Sequence, residues 1–259
     1  MPRALVTGPT SGIGKGFART LAGQGHDLVL VSRDQVRLDE FSQELQNEFG
    51  VDVRTISADL TNRSDITAIA EVIRNDSFDV LVNNAGFGVK GAFLGTNVDQ
   101  EQAMLDILIT AVMQLSHAAL PGMLNSGRGY VFNVSSVAGW ITGGTYSAAK
   151  AWVTVFTEGL GVELAGTGVR PIAVCPGFTH TEFHERAGMD MDSVSDWMWL
   201  EVDQVVSQAM RDAKSGKIIS VAGPQYKTLT SLLRVMPRPL VRRASGARQT
   251  SSRFARGDL

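Results

Sequence analysis

The sequence is poor in the residues that build disulfides and metal sites. Its 259 residues include one cysteine, Cys175, and four histidines. A single cysteine excludes an internal disulfide framework. His180 and His184 are four residues apart, but the H-E-x-x-H order of a zinc protease is absent. We therefore expect no resident metal.

Excess charge of one sign and long apolar runs are also absent. Lys and Arg total 24 against 26 Asp and Glu, and the net charge of −2 argues against a body that binds nucleic acid. No uninterrupted apolar run approaches the roughly 20 residues of a membrane span. The N-terminal residues lack the apolar stretch of a signal peptide. Because 44% of the residues are hydrophobic, we expect a globular, soluble, cytoplasmic protein with a sizeable core.

Short aliphatic runs alternate with longer segments of helical periodicity. Most of the short runs lack inside/outside alternation, as is typical of strands that helices cover on both faces. The pattern predicts an α/β fold with a parallel sheet of about seven strands and helices on both faces. The predicted strands are residues 4–7, 28–32, 52–57, 79–83, 129–134, 170–174 and 217–221. The predicted helices are residues 13–23, 35–49, 64–75, 100–125, 146–164 and 201–213.

The chain divides into a long first part and a short basic one. Residues 1–226 contain no internal repeat or linker and are predicted to form one domain. Residues 227–259 carry eight basic residues and one acid, and prolines 237 and 239 interrupt any long helix. We favour a helix docked on the domain, followed by a solvated tail. The alternative is a basic amphipathic segment that makes peripheral contact with an anionic membrane.

A turn rich in glycine, Thr7-Gly8-Pro9-Thr10-Ser11-Gly12-Ile13-Gly14, joins the first predicted strand to the first predicted helix. Glycines let the backbone approach a pyrophosphate, and the free N–H groups of a helix N-terminus favour negative charge. The spacing differs from the G-x-G-x-x-G fingerprint, so a tight connection without a ligand is the alternative. The position of the turn after the first strand of a parallel sheet favours a dinucleotide site.

Four motifs occur together in the order and spacing of one family. They are Thr7-Gly8-x-x-x-Gly12-Ile13-Gly14, Asn83-Asn84-Ala85-Gly86, Tyr146-x-x-x-Lys150 and Pro176-Gly177. Over about residues 3–225 the chain resembles the single-domain branch of the short-chain dehydrogenase/reductase family. The resemblance implies a Rossmann-like doubly wound fold and an NAD(P)(H)-dependent oxidoreductase that interconverts a ketone or aldehyde and an alcohol. It also implies a homo-oligomer, a dimer or a tetramer.

The resemblance further implies which residues bind the cofactor. Asp59 and Leu60 resemble the family's adenine contact, and either Thr181 or Thr179 is expected to hold the nicotinamide carboxamide. The other implied cofactor-binding residues are Gly8, Thr10, Ser11, Gly12, Ile13, Gly14, Asn84, Ala85, Gly86, Tyr146, Lys150, Pro176 and Gly177.

The end of the second predicted strand bears on the choice of cofactor. Sites that prefer NAD place an acid there for the ribose 2′-OH, whereas an arginine accommodates the 2′-phosphate of NADP. The family's acid position falls on Ser32, and Arg33 follows it with a guanidinium suited to a phosphate. Asp34 is the counter-indication, although it also suits the N-cap of the next helix. NADP(H) is therefore favoured over NAD(H), and an ordinary surface arginine is the alternative for Arg33.

Tyr146 and Lys150 are four residues apart in a helical pattern and so share a face. A free tyrosine has a pKa of about 10, and a nearby ammonium with the charge of a bound nicotinamide would lower that pKa. Tyr146 can then act as a general acid or base. By resemblance, Ser136 hydrogen-bonds the substrate oxygen and Lys150 holds the ribose. Ser135 remains the alternative to Ser136, because the segment between the serines and Tyr146 is shorter than in most members.

One position departs from the family pattern. Leu108 falls where members carry an asparagine that supports a water in the proton relay, and a leucine side chain cannot hydrogen-bond. A second hypothesis is therefore kept, a dinucleotide-binding regulatory or scaffold protein with little turnover. By resemblance, residues 178–200 are expected to form a substrate lid, and their composition favours an apolar substrate. Simple packing of a helix on the domain is the alternative for each of the apolar residues. The apolar lid residues are Met189, Met191, Trp197, Met198, Trp199 and Leu200.

Overall fold

A computed structural model describes residues 1–183 and 194–246. Within these residues, seven strands form one parallel sheet in the order β3-β2-β1-β4-β5-β6-β7. The strand order reverses between β1 and β4, which confirms the Rossmann-like doubly wound α/β fold. The strands are β1 (Arg3–Thr7), β2 (Asp27–Ser32), β3 (Val53–Ser57), β4 (Val80–Asn83), β5 (Gly129–Val134), β6 (Val169–Val174) and β7 (Ile219–Ser220).

Helices connect the strands and cover both faces of the sheet. On one face pack α1 (Gly12–Ala22), α2 (Gln35–Phe49) and α7 (Val202–Lys214). On the other pack α3 (Arg63–Asn75), α5 (Ala111–Ser126) and α6 (Gly144–Glu163), with α4 (Val98–Leu105) leading into α5.

Consecutive residues of β1 enter opposite cores. Ala4 and Val6 belong to the cluster under α1, whereas Leu5 belongs to the cluster under α3. Side chains of a strand alternate between the two faces of a sheet. A strand that is buried on both faces must therefore be apolar at every position, which is why the sequence shows no alternation there.

Two predicted elements differ in extent. The helix predicted at 100–125 is a helical run from Val98 to Ser126, in which a π-helical turn, Asp106–Thr110, separates α4 from α5. Single π turns inside helices are frequent at functional sites. This run is long and apolar enough to cross a membrane, but half of its apolar window is buried within the fold. The strand predicted at 217–221 shortens to the two residues of β7.

The C-terminal part that the structure describes forms two helices. The first, α8 (Pro224–Val235), begins just before the predicted boundary, and the second is α9 (Arg238–Gly246). Tyr226 and Val241 are buried, so both helices pack on the domain. The Ser245 hydroxyl accepts a hydrogen bond from the backbone N–H of Thr142 at 3.3 Å, which links α9 to the loop before α6. Residues 247–259 lie outside the described residues.

Candidate active site

The ends of β1 and β4 are held together by side-chain hydrogen bonds. The Thr7 hydroxyl oxygen accepts from the backbone N–H groups of Asn84 and Ala85 at 2.9 and 3.0 Å. The Asn84 amide donates to the carbonyl oxygens of Thr7 and Gly8 at 3.0 and 2.9 Å. The Gly-rich turn and the Asn-Asn-Ala-Gly motif therefore form one structure at the point where the strand order reverses, which is where dinucleotides bind in such sheets.

Three glycines of the turn are required by its geometry. Gly8 and Gly12 have φ angles of +63° and +52°, in the left-handed region that favours glycine. A Cβ on Gly14 would lie 2.1 Å from the carbonyl oxygen of Gly8. Gly86 is less strictly confined, because a Cβ there would lie 2.5 Å from a methyl carbon at the end of the Leu108 side chain, which can shift.

The N-terminus of α1 fits an anion such as a pyrophosphate. Its N-cap residue, Ser11, makes no side-chain cap hydrogen bond, and the first turn contains no acid. The first N–H groups of a helix have no intrahelical partner. The neighbouring residues Thr10, Gly12 and Ile13 are partly exposed, so a ligand can approach this end of the helix. The adjacent α2 differs, because Asp34 caps it by accepting from the N–H of Arg37 at 3.1 Å.

The residues that follow β2 and β3 lie close together. The Arg33 side chain is 67% exposed, and its guanidinium is 3.8 Å from a carboxylate oxygen of Asp59. Ser32 is partly buried at the end of β2, and Leu60 is buried. The predicted ribose and adenine contacts are thus neighbours, and Asp34 is engaged as a helix cap.

The predicted catalytic side chains come together at the end of β5. Ser136 lies close enough to the Tyr146 phenol to influence its pKa through hydrogen bonding, and its hydroxyl also accepts from the backbone N–H of Ala138 at 3.1 Å. The Lys150 ammonium lies 5.7 Å from the centre of the Tyr146 ring. Lys150 is buried and donates to the carbonyl oxygen of Val134 at 2.6 Å. Ser135 is also buried, and its hydroxyl donates to the carbonyl oxygen of Lys150 at 2.6 Å. The geometry therefore favours Ser136 over Ser135 as the serine that faces substrate.

Burial has the largest effect on the pKa values of Tyr146 and Lys150. Burial raises the pKa of Tyr146 above its ordinary value, although the hydrogen bond with Ser136 opposes the change. Burial also lowers the pKa of Lys150 to about 8. The expected lowering of the Tyr146 pKa applies to the site with a bound nicotinamide, and it stays a prediction. An additional positive charge is needed before the phenolate is favoured.

Leu108 lies beside this group, inside the π-helical turn. It is buried and packs in an apolar cluster with Met104, Ala149 and the Tyr146 ring. Phe183 adds a second apolar neighbour, because its ring centre lies 5.8 Å from that of Tyr146. The departure from the family asparagine thus places a hydrocarbon side chain near the phenol.

The turn after β6 is braced by a residue that the sequence did not reveal. The Tyr226 hydroxyl accepts from the N–H of Phe178 at 2.9 Å and donates to the carbonyl oxygen of Met198 at 2.7 Å. A Cβ on Gly177 would lie 2.0 Å from the Tyr226 ring, so Gly177 and Tyr226 fit together. The Pro176-Gly177 motif was a signal for this turn, but no local pattern pointed to a tyrosine nearly 50 residues later.

The two candidate threonines after β6 have different positions. Thr179 is buried, and its hydroxyl donates to the carbonyl oxygen of Gly177 at 3.0 Å. The Thr181 methyl carbon lies 2.8 Å from where a Cβ of Gly12 would be. Thr181 therefore faces the Gly-rich turn, and Thr179 lies within its own loop.

The lid is described in part. Trp199 stacks on His180 with ring centres 4.6 Å apart, and Leu200 is buried. Trp197 is exposed, and Met198 packs against the core. Met189, Met191 and His184 lie outside the described residues.

Arg37 is a further residue that sequence analysis missed. Its guanidinium donates to both carboxylate oxygens of Glu182 at 3.2 and 2.9 Å, and also to the carbonyl oxygen of Thr10 at 3.0 Å. Because 145 residues separate Arg37 from Glu182, no local spacing could have indicated the pair.

Comparison with known proteins identifies the family that shares this sequence and fold. A family model of the short chain dehydrogenases matches residues 2–192. An uncharacterized oxidoreductase of Staphylococcus saprophyticus is 38% identical over 183 residues, which cover 69% of this chain and 78% of the relative.

Two solved structures are similar over nearly the whole chain. A short-chain dehydrogenase from Sphingobium yanoikuyae in complex with NADPH is 33% identical with a TM-score of 0.82, covering 92% of this chain and 96% of that one. The bulky-bulky ketone specific alcohol dehydrogenase from Comamonas testosteroni is 29% identical with a TM-score of 0.78 and the same coverage. With the sheet order and the four motifs, these matches show that the chain belongs to the short-chain dehydrogenase family of NAD(P)(H)-dependent oxidoreductases.

Proposed function

We propose that the protein is an NADP(H)-dependent oxidoreductase that interconverts a ketone or aldehyde and the corresponding alcohol on an apolar substrate. The observation that carries the proposal is the grouping of Ser136, Tyr146 and Lys150 at the end of β5. The relative from Comamonas testosteroni is described as specific for bulky-bulky ketones, and we propose the same broad class of substrate here.

The chain's own residues manage the proton and the substrate oxygen. The Gly-rich turn and Thr181 would hold the nicotinamide cofactor, which would supply hydride-transfer chemistry and, in its oxidised form, a positive charge. Ser136 orients the carbonyl oxygen, and Tyr146 donates a proton to that oxygen in reduction or removes it in oxidation. Lys150 supplies a fixed positive charge that favours the Tyr146 phenolate.

The surroundings of Tyr146 support an apolar substrate. Phe183 lies against its ring, and Leu108 belongs to the same apolar cluster. Phe87 and Val89, which follow β4, also pack on that cluster and are partly exposed. Binding sites lined in this way favour hydrocarbon groups around a few directed polar atoms.

The residues after β2 support NADP(H) over NAD(H). Arg33 has an exposed guanidinium 3.8 Å from Asp59, within reach of solvent and of a bound phosphate. Asp34, the acid that would suit the ribose 2′-OH, is engaged as the cap of α2. The 33% identical relative from Sphingobium yanoikuyae was solved in complex with NADPH.

We also propose that the protein is a cytoplasmic homo-oligomer. Apolar side chains are exposed on two helices that cover the same face of the sheet, Met113 and Leu124 on α5 and Val155 and Val162 on α6. Exposed apolar side chains favour burial against another chain, and a second copy of this chain is the simplest partner.

The basic C-terminal helices favour peripheral contact with a membrane. Leu229, Leu232, Val235 and Leu240 are exposed on α8 and α9, and residues 213–257 contain no acid. Exposed apolar side chains among arginines suit an interface with anionic lipids. Because α9 contacts the loop before α6, such contact would bring the active site near the bilayer, where apolar carbonyl compounds dissolve.

Replacing Arg33 tests the cofactor preference. We expect Arg33→Ala to weaken NADPH binding by about 10-fold or more, because a hydrogen bond to a charged group contributes about 1.5–3 kcal/mol, and to leave NADH binding unchanged. Fluorescence titration with each nucleotide measures both affinities, and Arg54→Ala is the control at an exposed arginine on β3. Wild-type protein that binds NADH as tightly as NADPH would contradict the preference.

Replacing Tyr146 tests the chemistry. Tyr146→Phe removes the proton donor, so turnover of ketones with NADPH should fall by about 10²- to 10⁴-fold while nucleotide affinity stays near the wild-type value. Nucleotide absorbance follows turnover over a panel of apolar ketones. Tyr130→Phe in β5 is the matched control and should retain activity. Equal turnover by wild type and Tyr146→Phe would exclude the assigned role.

Restoring the family asparagine tests the influence of Leu108. We expect Leu108→Asn to raise kcat by up to about 10-fold, because an amide can hold a water for the proton relay that a leucine cannot. Leu108→Met keeps the site apolar and should leave kcat unchanged. If neither wild type nor Leu108→Asn turns over any carbonyl substrate while both bind nucleotide, the scaffold hypothesis replaces the enzyme.

Removing three C-terminal arginines tests membrane contact. Full-length protein should co-sediment with vesicles containing phosphatidylserine and not with phosphatidylcholine alone. The triple variant Arg238→Gln, Arg242→Gln, Arg243→Gln should lose most binding, since each basic residue near an anionic surface contributes about 1 kcal/mol. The control changes Arg54, Arg63 and Arg74 to Gln. Equal sedimentation of both triple variants would reject the proposed surface.

A further inference from the structure

The Arg37–Glu182 ion pair joins three separate segments around the Gly-rich turn. Arg37 belongs to the first turn of α2, Glu182 follows β6, and Thr10 lies in the turn itself. The guanidinium bonds Glu182 through both carboxylate oxygens and bonds the Thr10 carbonyl through Nη2. The pair thus connects the side of the site that follows β2 with the side that follows β6.

The residues on either side of Glu182 contact the two functional parts of the site. Thr181 packs against Gly12 of the Gly-rich turn. Phe183 packs on Tyr146, with ring centres 5.8 Å apart. The backbone N–H of Phe183 also donates to the Thr181 hydroxyl at 3.3 Å, so the three residues form one short, internally bonded segment. An interaction that holds Glu182 in place therefore also holds Thr181 against Gly12 and Phe183 against Tyr146.

We propose that the Arg37–Glu182 pair is a clasp over the cofactor groove, and that Glu182 is a positioning residue for Thr181 and Phe183. The inference rests on the proposed function, because the clasp joins the parts of the site assigned to the two halves of the dinucleotide. Release of a bound nucleotide then requires the pair to open. The clasp slows dissociation of NADPH and NADH alike, because it does not depend on the 2′-phosphate.

The exposure of the Arg37–Glu182 pair determines how strongly it slows nucleotide dissociation. The Arg37 and Glu182 side chains are 36% and 41% exposed, and half-exposed pairs change equilibria only modestly. Two parallel hydrogen bonds and the third bond to Thr10 strengthen this one. We therefore expect about a five-fold effect on dissociation. The Glu182 carboxylate raises the pKa of Arg37, so the guanidinium keeps its charge throughout the working pH range.

The first experiment measures nucleotide release. Stopped-flow displacement should show NADPH and NADH leaving Glu182→Gln and Arg37→Gln about five-fold faster than wild type. The swapped variant Arg37→Glu, Glu182→Arg should recover part of the loss. Salt should speed release from wild type more than from the Gln variants, because wild type has one additional exposed ion pair for salt to screen. Arg128→Gln breaks an exposed pair with Asp79 at the amino ends of the strands and is the control.

A second readout separates positioning from general stability. If Glu182 holds Phe183 against Tyr146, Glu182→Gln should shift the pH profile of kcat, whereas Arg128→Gln should not. Release rates equal to wild type in both Gln variants would overturn the clasp. An effect confined to NADPH would also overturn it, since Arg37 would then bind the 2′-phosphate directly. If wild type binds neither nucleotide, the proposed function itself fails, a result distinct from unchanged release rates.

Discussion

The hydrogen bonds between the ends of β1 and β4 are the constraint on which the site depends. Thr7 accepts two N–H groups of the Asn-Asn-Ala-Gly motif, and Asn84 donates back to Thr7 and Gly8. These bonds hold the Gly-rich turn so close to its neighbours that Gly14 has no room for a side chain. The free N–H groups of α1 are thereby fixed at the edge of the sheet where the other strands deliver their functional residues.

At that edge of the sheet, the proposed catalytic side chains are held in an environment that opposes charge. Burial raises the pKa of Tyr146 and lowers that of Lys150. Leu108 and Phe183 increase this apolar character. Under the proposed mechanism, proton exchange near neutral pH depends on positive charge close to the phenol, which Lys150 and an oxidised nicotinamide would supply. The positive charge of an oxidised nicotinamide would oppose the effect of burial on the Tyr146 pKa, which would link proton transfer to cofactor binding.

Several parts of the site were predictable because they are local in sequence. The spacing of Tyr146 and Lys150 follows from one helical turn, and glycines at fixed positions mark a turn that needs left-handed backbone. The π-helical turn at 106–110 was not predictable, since its apolar pattern also suits an ordinary helix. Tyr226 and the Arg37–Glu182 pair were missed because each acts on a segment far away in sequence.

The sequence by itself determined the fold class, the family and the identity of the chemical groups, because apolar periodicity and glycine placement act over a few residues. The tertiary structure decided which of these groups are engaged within the fold and which can contact a cofactor or a substrate. In the fold, the Ser135 hydroxyl bonds to the Lys150 carbonyl oxygen, whereas Ser136 lies near the Tyr146 phenol. Asp34 serves as a helix cap, and Arg37 pairs with Glu182. Those outcomes depend on which strand ends lie side by side, and the order of strands in space is set by packing on both faces of the sheet rather than by any local pattern.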